Sequence, residues 1–555
     1  MEPLRDPVNL LYPTEDIRQK LKQRRNDLAA LPDTYAADLQ LDKLTRYFSP
    51  ENSQFSMNIF RELCTDPEVI NYRLDAVEDL LRFPKLSANL HKTVTTILDN
   101  HRDELSDKSA PDTFAALSAK ISSLDVFIDS VESFCDYYEK EGKSASSAAF
   151  RRVFEYFLDI KASKSFSDLK ADMSELKEAF SKKIRCVTVA INFNEEMRPV
   201  SAGIVGLSEN QATEKPSVFD RIFYRNAKYA DVNVKNLHAR YMGDSKDPNE
   251  IDRKLFEELE KVTSDYMGRL SRALDDYRCI DYREIAVIDE QLSFLDKAAA
   301  LVETAKSRDI AMCRPVILPM ENRELHLKSA FDISFFRSAA AADPYKKGDS
   351  LVVGNDIDMD DNARFWLLSG ANNGGKTTFV RAVGICQLFA QCGIFVPAAE
   401  CIISPVDYIY THFPKEEEVG INSSRFTEEV KDLKKIADSI SDNSLLLMNE
   451  SIQSTTPKEC LDIAGEFVRI FTMLGARGIF ATHLAELALR MDEINSDPDN
   501  RSKIDSIVTT VEESTGERLY KIRRGMPGET SYASVIFDKF GISADEIRRK
   551  LHAKI

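Results

Sequence analysis

One glycine-rich stretch, FWLLSGANNGGKTTFVRAV, combines residue types that bind phosphate groups. The run from Gly370 to Thr377 fits the spacing G-x-x-x-x-G-K-[ST], an apolar strand from Phe365 to Leu368 precedes it, and the chain from Thr378 onward is helix-competent. Glycines let the backbone approach a ligand, and a helix N-terminus aims its N–H groups at phosphates. Lys376 would pair with the β- and γ-phosphates, and the Thr377 hydroxyl with Mg²⁺. The stretch therefore predicts a site for ATP and Mg²⁺.

The whole loop and the start of the following helix are predicted to bind ATP. These residues are Gly370, Ala371, Asn372, Asn373, Gly374, Gly375, Lys376, Thr377 and Thr378. The alternative is a glycine-rich turn in an unrelated α/β fold.

A second apolar run, SLLLMNESIQSTT, ends in polar side chains at Asn449 and Glu450. Glu450 is predicted to act as the general base that orients the attacking water. ATPases have an aspartate at the position that Asn449 occupies here, directly before the glutamate. Asn449 is therefore predicted to be a Mg²⁺ ligand together with Thr377. The alternative is a core strand capped by polar residues.

Two further stretches could contribute to a phosphate site. NSSRFTEEV, from Asn422 to Val430, opens a helix with small hydroxyl residues, which favours an anion site. IFATHLAEL places His483 directly after an apolar strand, where it could sense the γ-phosphate as a catalytic residue. The alternative for this histidine is a purely structural role.

The elements that must position these residues are indicated by proline spacing. No proline occurs between Pro111 and Pro199 or between Pro248 and Pro315, and both windows are predicted to form long helices. Residues 186–209 alternate as in a β hairpin, near Lys182, Lys183, Arg185 and Arg198, which could contact phosphates or form a solvated face. After Pro315, short apolar runs alternate with helical segments, as in an α/β domain, and a hairpin is predicted from Ile504 to Arg523.

Composition sets broad limits on the class of protein. The 555 residues are 43% hydrophobic and 30% charged. The net charge of −17 disfavours a surface covered by basic residues that would bind nucleic acid. No apolar run is long enough for a membrane span, and the start of the chain lacks the order of a signal peptide. Nine scattered cysteines form no Cys-x-x-Cys pair. We expect a cytoplasmic protein with no membrane partner.

Together these stretches resemble the MutS family of DNA mismatch-repair ATPases, which belong to the ABC class. GANNGGKTT is similar to the family's phosphate loop, SSRFTEEV to its signature helix, LLLMNES to its second phosphate-site strand and ATHLAEL to its switch-histidine segment. DPEVINYRLDAVEDLL is similar to the start of the family's core and lever region, and SYASVIFDKFGIS to its C-terminal dimerisation helices. The resemblance covers about residues 55 to 555.

The resemblance implies a multidomain α and α/β protein, in which a long helical lever and core domain with a small β insertion precedes a C-terminal ABC-type P-loop ATPase domain. The implied domains are residues 1–54 (an N-terminal helical segment), 55–314 (core and lever helices with the insertion at about 186–209) and 315–555 (the ATPase domain, with a helical dimerisation segment at about 525–555). It also implies a homodimer, in which Ser424 and Glu429 of one subunit complete the ATP site of the other.

The chain departs from the family pattern in three places. Asn449 replaces the family's aspartate, which predicts weaker metal binding and slower hydrolysis. SIQSTT replaces a glycine-rich stretch after Glu450. We also expect neither an N-terminal mismatch-reading domain nor a C-terminal Smr tail.

Three functions are compatible with these features. The first is an ATP-gated clamp on double-stranded or branched DNA, acting in mismatch repair or on branched structures. The second is the same clamp acting on ribosomes or structured RNA. The third is a nucleotide-binding scaffold with a decayed ATPase and protein partners.

Overall fold

A computed structural model describes most of the chain in two compact units. The described ranges are residues 7–106, 114–181, 186–193, 199–208, 270–277, 279–343, 345–370, 374–414, 425–452, 456–511 and 518–527, with positions 195, 268, 548 and 549. The first unit combines Met1–Phe83 and Ser147–Ala149 with Gln291–Ile555, and the second combines Pro84–Ser146 with Phe150–Glu290. The three predicted domains, with boundaries near residues 54 and 314, stay a prediction.

The first unit opens with short helices whose ends follow the local sequence. They are α1 (Glu15–Leu28), α2 (Tyr35–Asp38), α3 (Leu41–Phe48), α4 (Ser53–Phe60) and α5 (Pro67–Arg82). The Thr14 side chain accepts a hydrogen bond from the Ile17 N–H at the start of α1. Asp66 does the same for the Glu68 N–H at the start of α5, where Pro67 occupies the first turn. Both caps satisfy N–H groups that a helix leaves unpaired.

The second unit is helical, apart from one hairpin, in its described part. Its elements are α6 (Pro84–Ser106), α7 (Phe114–Lys140), α8 (Ala148–Ala162), α9 (Lys164–Ser181), β1 (Cys186–Phe193) and β2 (Pro199–Ser208), with a 3₁₀ turn at Gly142–Ser144. The helix α10 (Tyr282–Ser307) contributes residues to both units. The predicted hairpin is confirmed, since β1 and β2 pair antiparallel. The helical prediction for the first proline-free window is confirmed as three helices, α7 to α9, whereas the four basic residues beside the hairpin lie outside the described residues.

The remaining strands of the first unit form two sheets. They are β3 (Val316–Ile317), β4 (Leu325–Ala330), β5 (Asn355–Met359), β6 (Phe365–Ser369), β7 (Glu400–Ile403), β8 (Ile409–His412), β9 (Leu445–Asn449), β10 (Arg477–Thr482), β11 (Ile504–Val511) and β12 (Arg518–Arg524). The larger sheet has the order β12-β11-β6-β10-β9-β8, and the smaller one β3-β7-β4-β5. The apolar strand before the glycine-rich loop and the C-terminal hairpin were both predicted, and β6 and the β11–β12 pair confirm them.

Helices connect and cover these strands. They are α11 (Ile333–Ala342), α12 (Lys376–Cys392), α13 (Arg425–Ser439), α14 (Pro457–Leu474), α15 (Ala485–Leu489) and α16 (Met491–Asn495), with 3₁₀ turns at Met320–Asn322 and Gly348–Ser350. The mixed helical and α/β organisation agrees with the predicted fold class. The helical dimerisation segment implied at about residues 525–555 falls outside the described residues except for residues 525–527 and for positions 548 and 549, which are helical.

The centre of the larger sheet is covered on both faces. Every residue of β6, β9 and β10 is buried, as expected for parallel strands between helical layers. α12 is buried along nearly its whole length and packs against this centre. At Gly384 an added Cβ would lie 2.7 Å from the Leu447 side chain in β9 and 2.8 Å from that of Leu39. The helix is therefore held between the sheet and the N-terminal segment.

The N-terminal segment also closes one edge of the larger sheet. β8 is the last strand in the order, and its Thr411 N–H donates to the Thr34 side-chain oxygen at 3.2 Å. The Arg24 guanidinium donates to the Asp407 carbonyl at 2.8 Å, just before the strand. These contacts cover strand-edge groups that would otherwise be open to another chain. Among the residues described, no helix has both the length and the apolar character needed to cross a bilayer.

Candidate functional site

Three parallel strands deliver the candidate site residues to one edge of the larger sheet. β10 lies between β6 and β9, and the register places Thr482 beside Ser369 and Ala481 beside Asn449. The chain that follows each strand therefore emerges at the same edge. Carboxyl ends of parallel strands are where α/β sheets bind ligands. The topology brings together the glycine-rich turn, Glu450 and the segment containing His483.

The turn between β6 and α12 has a shape that requires glycine. Gly370 has φ +148°, and a Cβ there would lie 1.9 Å from the Thr509 side-chain oxygen. Gly375 has φ +92° and directly precedes α12 without a side-chain hydrogen bond to cap the helix. The first N–H groups of α12 are thus left for a ligand such as a phosphate. Ala371, Asn372 and Asn373 lie outside the described residues.

Lys376 folds back over this turn instead of extending into solvent. Its ammonium nitrogen lies 2.8 Å from the Gly370 carbonyl oxygen, 3.3 Å from His483 Nδ1 and 3.8 Å from a Glu450 carboxylate oxygen. The residue is only 3% exposed. Burial lowers the pKa of the Lys376 ammonium group, and the Glu450 carboxylate partly opposes this effect. A cation held here, mostly out of water, interacts strongly with an anion that enters the turn.

His483 lies between the lysine and the glutamate. Its Nδ1 faces Lys376, and its Nε2 lies 2.8 Å from the Glu450 carboxylate. An ammonium group can only donate, so Nδ1 must accept and Nε2 must carry the proton that Glu450 receives. The imidazole ring therefore contacts both the Lys376 ammonium group and the Glu450 carboxylate.

Thr377 and Asn449 join the glycine turn to the neighbouring strand. The Thr377 hydroxyl donates to the Asn449 side-chain oxygen at 3.1 Å. Within the described residues, no group of three or more His, Cys, Asp and Glu side chains could hold a metal ion. A hydroxyl and an amide oxygen are both ligands that Mg²⁺ accepts, so the pair fits this ion. An amide adds no negative charge, and the fit is weaker than with a carboxylate.

A cavity of about 1040 Å³ continues from the glycine turn. It is lined by the turn itself, α12 and Glu450, together with residues of α11 and of the segment before β5. Lining residues outside the predicted set include Phe331, Phe335, Leu351, Val352, Asn355 and Tyr520, and the charged residues Asp332, Asp343, Lys346 and Asp349. The sequence carries no motif at these positions. The lining therefore combines the polar groups of the glycine turn with apolar surface and with several charged side chains.

The signature helix is only partly described. Ser424 lies outside the described residues, and α13 begins at the next residue, Arg425. Glu429 is half-buried on α13 and does not line the described part of the cavity. The role of both residues in the site of a second subunit therefore stays a prediction.

Comparisons with known proteins give two family matches. A model described as MutS domain V matches residues 366–536, and one described as the MutS2 N-terminal domain matches residues 65–303. The chain is 26% identical over 318 residues to the DNA mismatch repair protein MutS of Thermosipho melanesiensis, which is 57% of this chain and 35% of that protein. It is 26% identical over 308 residues to the protein of the same name from Halothermothrix orenii, 55% of this chain and 30% of that one. The alignments thus span about a third of each relative's length.

Proposed function

Since this chain belongs to the MutS family, we propose that it is an ATP-dependent DNA-binding protein of the MutS type. It would act as a dimeric clamp gated by ATP, in DNA mismatch repair or on branched DNA. The observation that carries the proposal is the contact series from Glu450 through His483 to Lys376 beside the glycine turn. A P-loop ATPase needs a phosphate-binding cation, a base and a switch residue within reach of one another, and these three residues have those chemistries.

The glycine turn would hold the triphosphate. The open N–H groups at the start of α12 point to where an anion binds, and Lys376 would exchange its contacts with the Gly370 carbonyl and His483 for phosphate oxygens. Its lowered pKa reflects the cost of burial, which an entering phosphate would offset. Binding would therefore change the partners of His483 first.

The nucleoside would occupy the cavity beside its aromatic lining residues. Phe335 and Tyr520 line it and are 53% and 48% exposed, so two aromatic rings are accessible to a base. Val352 adds apolar surface. Stacking on aromatic surface contributes about 1–3 kcal/mol per base and needs no hydrogen-bond readout.

Hydrolysis would depend on Glu450 as the base. Once Lys376 binds phosphate, the Glu450 carboxylate keeps its contact with His483 Nε2 and can accept a proton from water. Thr377 and Asn449 would hold Mg²⁺, which neutralises charge on the phosphate oxygens. Because Asn449 is neutral, we expect slow turnover by the wild-type protein.

Dimerisation and the lever motion rest on the family resemblance alone. Ser424 and Glu429 of a second copy would complete the site, so that a monomer could not complete its own site. The helical region would then close on nucleic acid. A cytoplasmic location also stays a prediction.

A clamp on structured RNA or ribosomes is the second candidate. The observation in its favour is that residues 65–303 match a model of the MutS2 N-terminal domain. A nucleotide-binding scaffold with a decayed ATPase is the third, and Asn449 favours it.

One binding experiment separates the three functions. The Glu450→Gln variant would be loaded with ATP and titrated with homoduplex, mismatched duplex, branched DNA and structured RNA at several salt concentrations. Glu466→Gln, the same change on the exposed face of α14, is the matched control. We expect ATP to strengthen binding to DNA, with an affinity that falls as salt rises.

Other outcomes would favour the other candidates. Stronger ATP-dependent binding to RNA than to DNA would support the second candidate. If ATP changed no nucleic-acid affinity and a Lys376→Ala chain kept every cellular function, the scaffold would be the best reading.

A further inference from the structure

Asn355 is the first residue of β5, and its side chain reaches the backbone of another sheet. Its Nδ2 group donates to the Tyr520 carbonyl oxygen at 3.0 Å, and its Oδ1 accepts from the Ile522 N–H at 2.8 Å. The residue is 7% exposed. A carboxamide that bonds a carbonyl and the N–H two residues later imitates the pairing of a neighbouring strand. Asn355 therefore replaces a strand partner at the edge of the larger sheet.

The backbone that Asn355 binds is irregular. Thr509 pairs with Ile522 and Val511 with Arg518, so β12 has extra residues around Tyr520 relative to β11. Tyr520 itself has φ +55°, a left-handed conformation that a bulky residue seldom adopts. Bulges of this kind re-aim a side chain, and they are frequent next to functional sites. The bulge therefore needs support from outside its own hairpin.

The bulge sets where the Tyr520 ring lies. Its Cδ1 atom is 3.5 Å from the position a Cβ would take on Gly375, so the ring is adjacent to the glycine turn. Tyr520 and Asn355 both line the cavity. A second contact ties the same segments together, because the Lys521 ammonium group donates to the Gly354 carbonyl at 2.7 Å.

We propose that Asn355 is a positioning residue that fixes the Tyr520 bulge, and that it thereby sets the affinity of the site for the nucleoside but not for the phosphates. The proposal rests on the proposed ATP site and assigns the binding of the nucleoside and of the phosphates to different residues within it. Asn355 acts through Tyr520, whereas the glycine turn and Lys376 bind the triphosphate independently. The amide is required because one group must both donate to a carbonyl and accept from an N–H.

The test compares two ligands that share only the phosphates, ATP and inorganic tripolyphosphate, by calorimetry on the full chain. Asn355→Leu keeps the approximate side-chain size, adds no charge, and removes both hydrogen bonds to the bulge. Asn322→Leu, the same change at an exposed position away from the cavity, is the control. We expect Asn355→Leu to weaken ATP binding about tenfold and tripolyphosphate binding less than twofold, which corresponds to about 1.4 kcal/mol for ATP.

A double variant tests whether Asn355 acts through Tyr520. Tyr520→Ala should weaken ATP binding selectively, Tyr520→Phe should keep wild-type affinity, and adding Asn355→Leu to Tyr520→Ala should have no further effect. Additive losses, or equal losses for the two ligands in Asn355→Leu, would overturn the positioning role. Failure of the proposed ATP site is distinguishable, because the folded wild-type chain would then bind neither ligand.

Discussion

Two turns at the same sheet edge are built in opposite ways. Among its described residues, the turn after β6 has positive φ at two glycines, Gly370 and Gly375. The turn after β9 has residues with side chains at such positions, since Glu450 has φ +51° and Ile452 has φ +63°. A left-handed conformation costs a β-branched residue of the order of 1–3 kcal/mol, whereas glycine adopts it freely. The described part of the glycine turn is therefore relaxed, and the turn that contains Glu450 is strained.

The strained turn is held by its neighbours. The Glu450 N–H donates to the Ala481 carbonyl of β10 at 2.7 Å. The Ser451 hydroxyl donates to the His412 carbonyl at 3.1 Å and contacts His412 Nδ1 at 2.6 Å. Strain of this kind persists only where surrounding contacts over-determine the geometry, and it is concentrated at functional sites. The described part of the glycine turn thus avoids strain through its own residue types, whereas the position of Glu450 depends on contacts with β8 and β10.

The largest expected effect is on the relaxed turn. Gly370→Ala places a Cβ 1.9 Å from the Thr509 hydroxyl oxygen, so we expect a loss of about 3 kcal/mol or more in the free energy of unfolding. Gly348→Ala is the control, because that glycine also has positive φ (+53°) but nothing lies within 4 Å of an added Cβ. It should cost only about 1–2 kcal/mol. Urea denaturation of both variants measures the difference in the free energy of unfolding. Equal losses would mean that a Cβ at Gly370 does not clash with the Thr509 hydroxyl.

The next effect concerns the support of the strained turn. Ser451→Ala removes both contacts with His412 and leaves a buried ring nitrogen without this partner, at a cost of about 1–3 kcal/mol. We expect kcat for ATP hydrolysis to fall more than ATP affinity, because Glu450 moves while the phosphate turn does not.

The control for this change is Ser506→Ala. The Ser506 hydroxyl is buried and has no hydrogen-bond partner within the part of the chain that the structure describes, so its loss should be close to neutral. If Ser451→Ala weakened ATP binding as much as it slowed turnover, the two turns would not be independent.

Sequence reasoning succeeded where the chemistry is local. The strand at Phe365, a helix in the chain from Thr378 onward and the two hairpins follow from spacing and pattern, and the structure contains them, with the helix beginning at Lys376. Asn355 and Tyr520 could not be found in this way. Their contact joins two sheets across 165 positions of sequence, and it depends on tertiary packing that no local pattern records.

The same limit applies to the strained turn. Ser451 and His412 lie 39 positions apart, and neither belongs to a motif. Positive φ at Ile452 also contradicts the preference of a β-branched residue, so local propensity gives the wrong expectation there.

Asn449 connects the two turns and gives the third prediction. Asn449→Asp would add a negative charge beside the Thr377 hydroxyl without changing the shape of the side chain. We expect the Mg²⁺ concentration needed for half-maximal ATP binding to fall about tenfold, because ligand charge raises affinity for a hard cation. Single-turnover hydrolysis should become faster in the same variant. Equal Mg²⁺ dependence and equal rates would show that the amide does not limit this site.

The smallest effect tests the strain itself. Ile452→Leu removes the β-branch at nearly constant volume, and we expect it to be neutral or to stabilise the protein by about 0.5 kcal/mol. Ile479→Leu in β10, a buried position in a regular strand, should instead cost about 1 kcal/mol. Thermal and urea denaturation of the two variants provide the comparison. A larger loss at Ile452 than at Ile479 would mean that the turn is not strained.

Calorimetric titration of the folded chain with ATP and Mg²⁺ measures directly whether ATP binds at the glycine turn through Lys376. We expect saturable binding by the wild type, an affinity at least tenfold weaker in Lys376→Met, and an unchanged affinity in Lys458→Met, which alters an exposed lysine at the start of α14. No uptake of ATP by the wild type, or equal affinity in Lys376→Met, would contradict this binding mode.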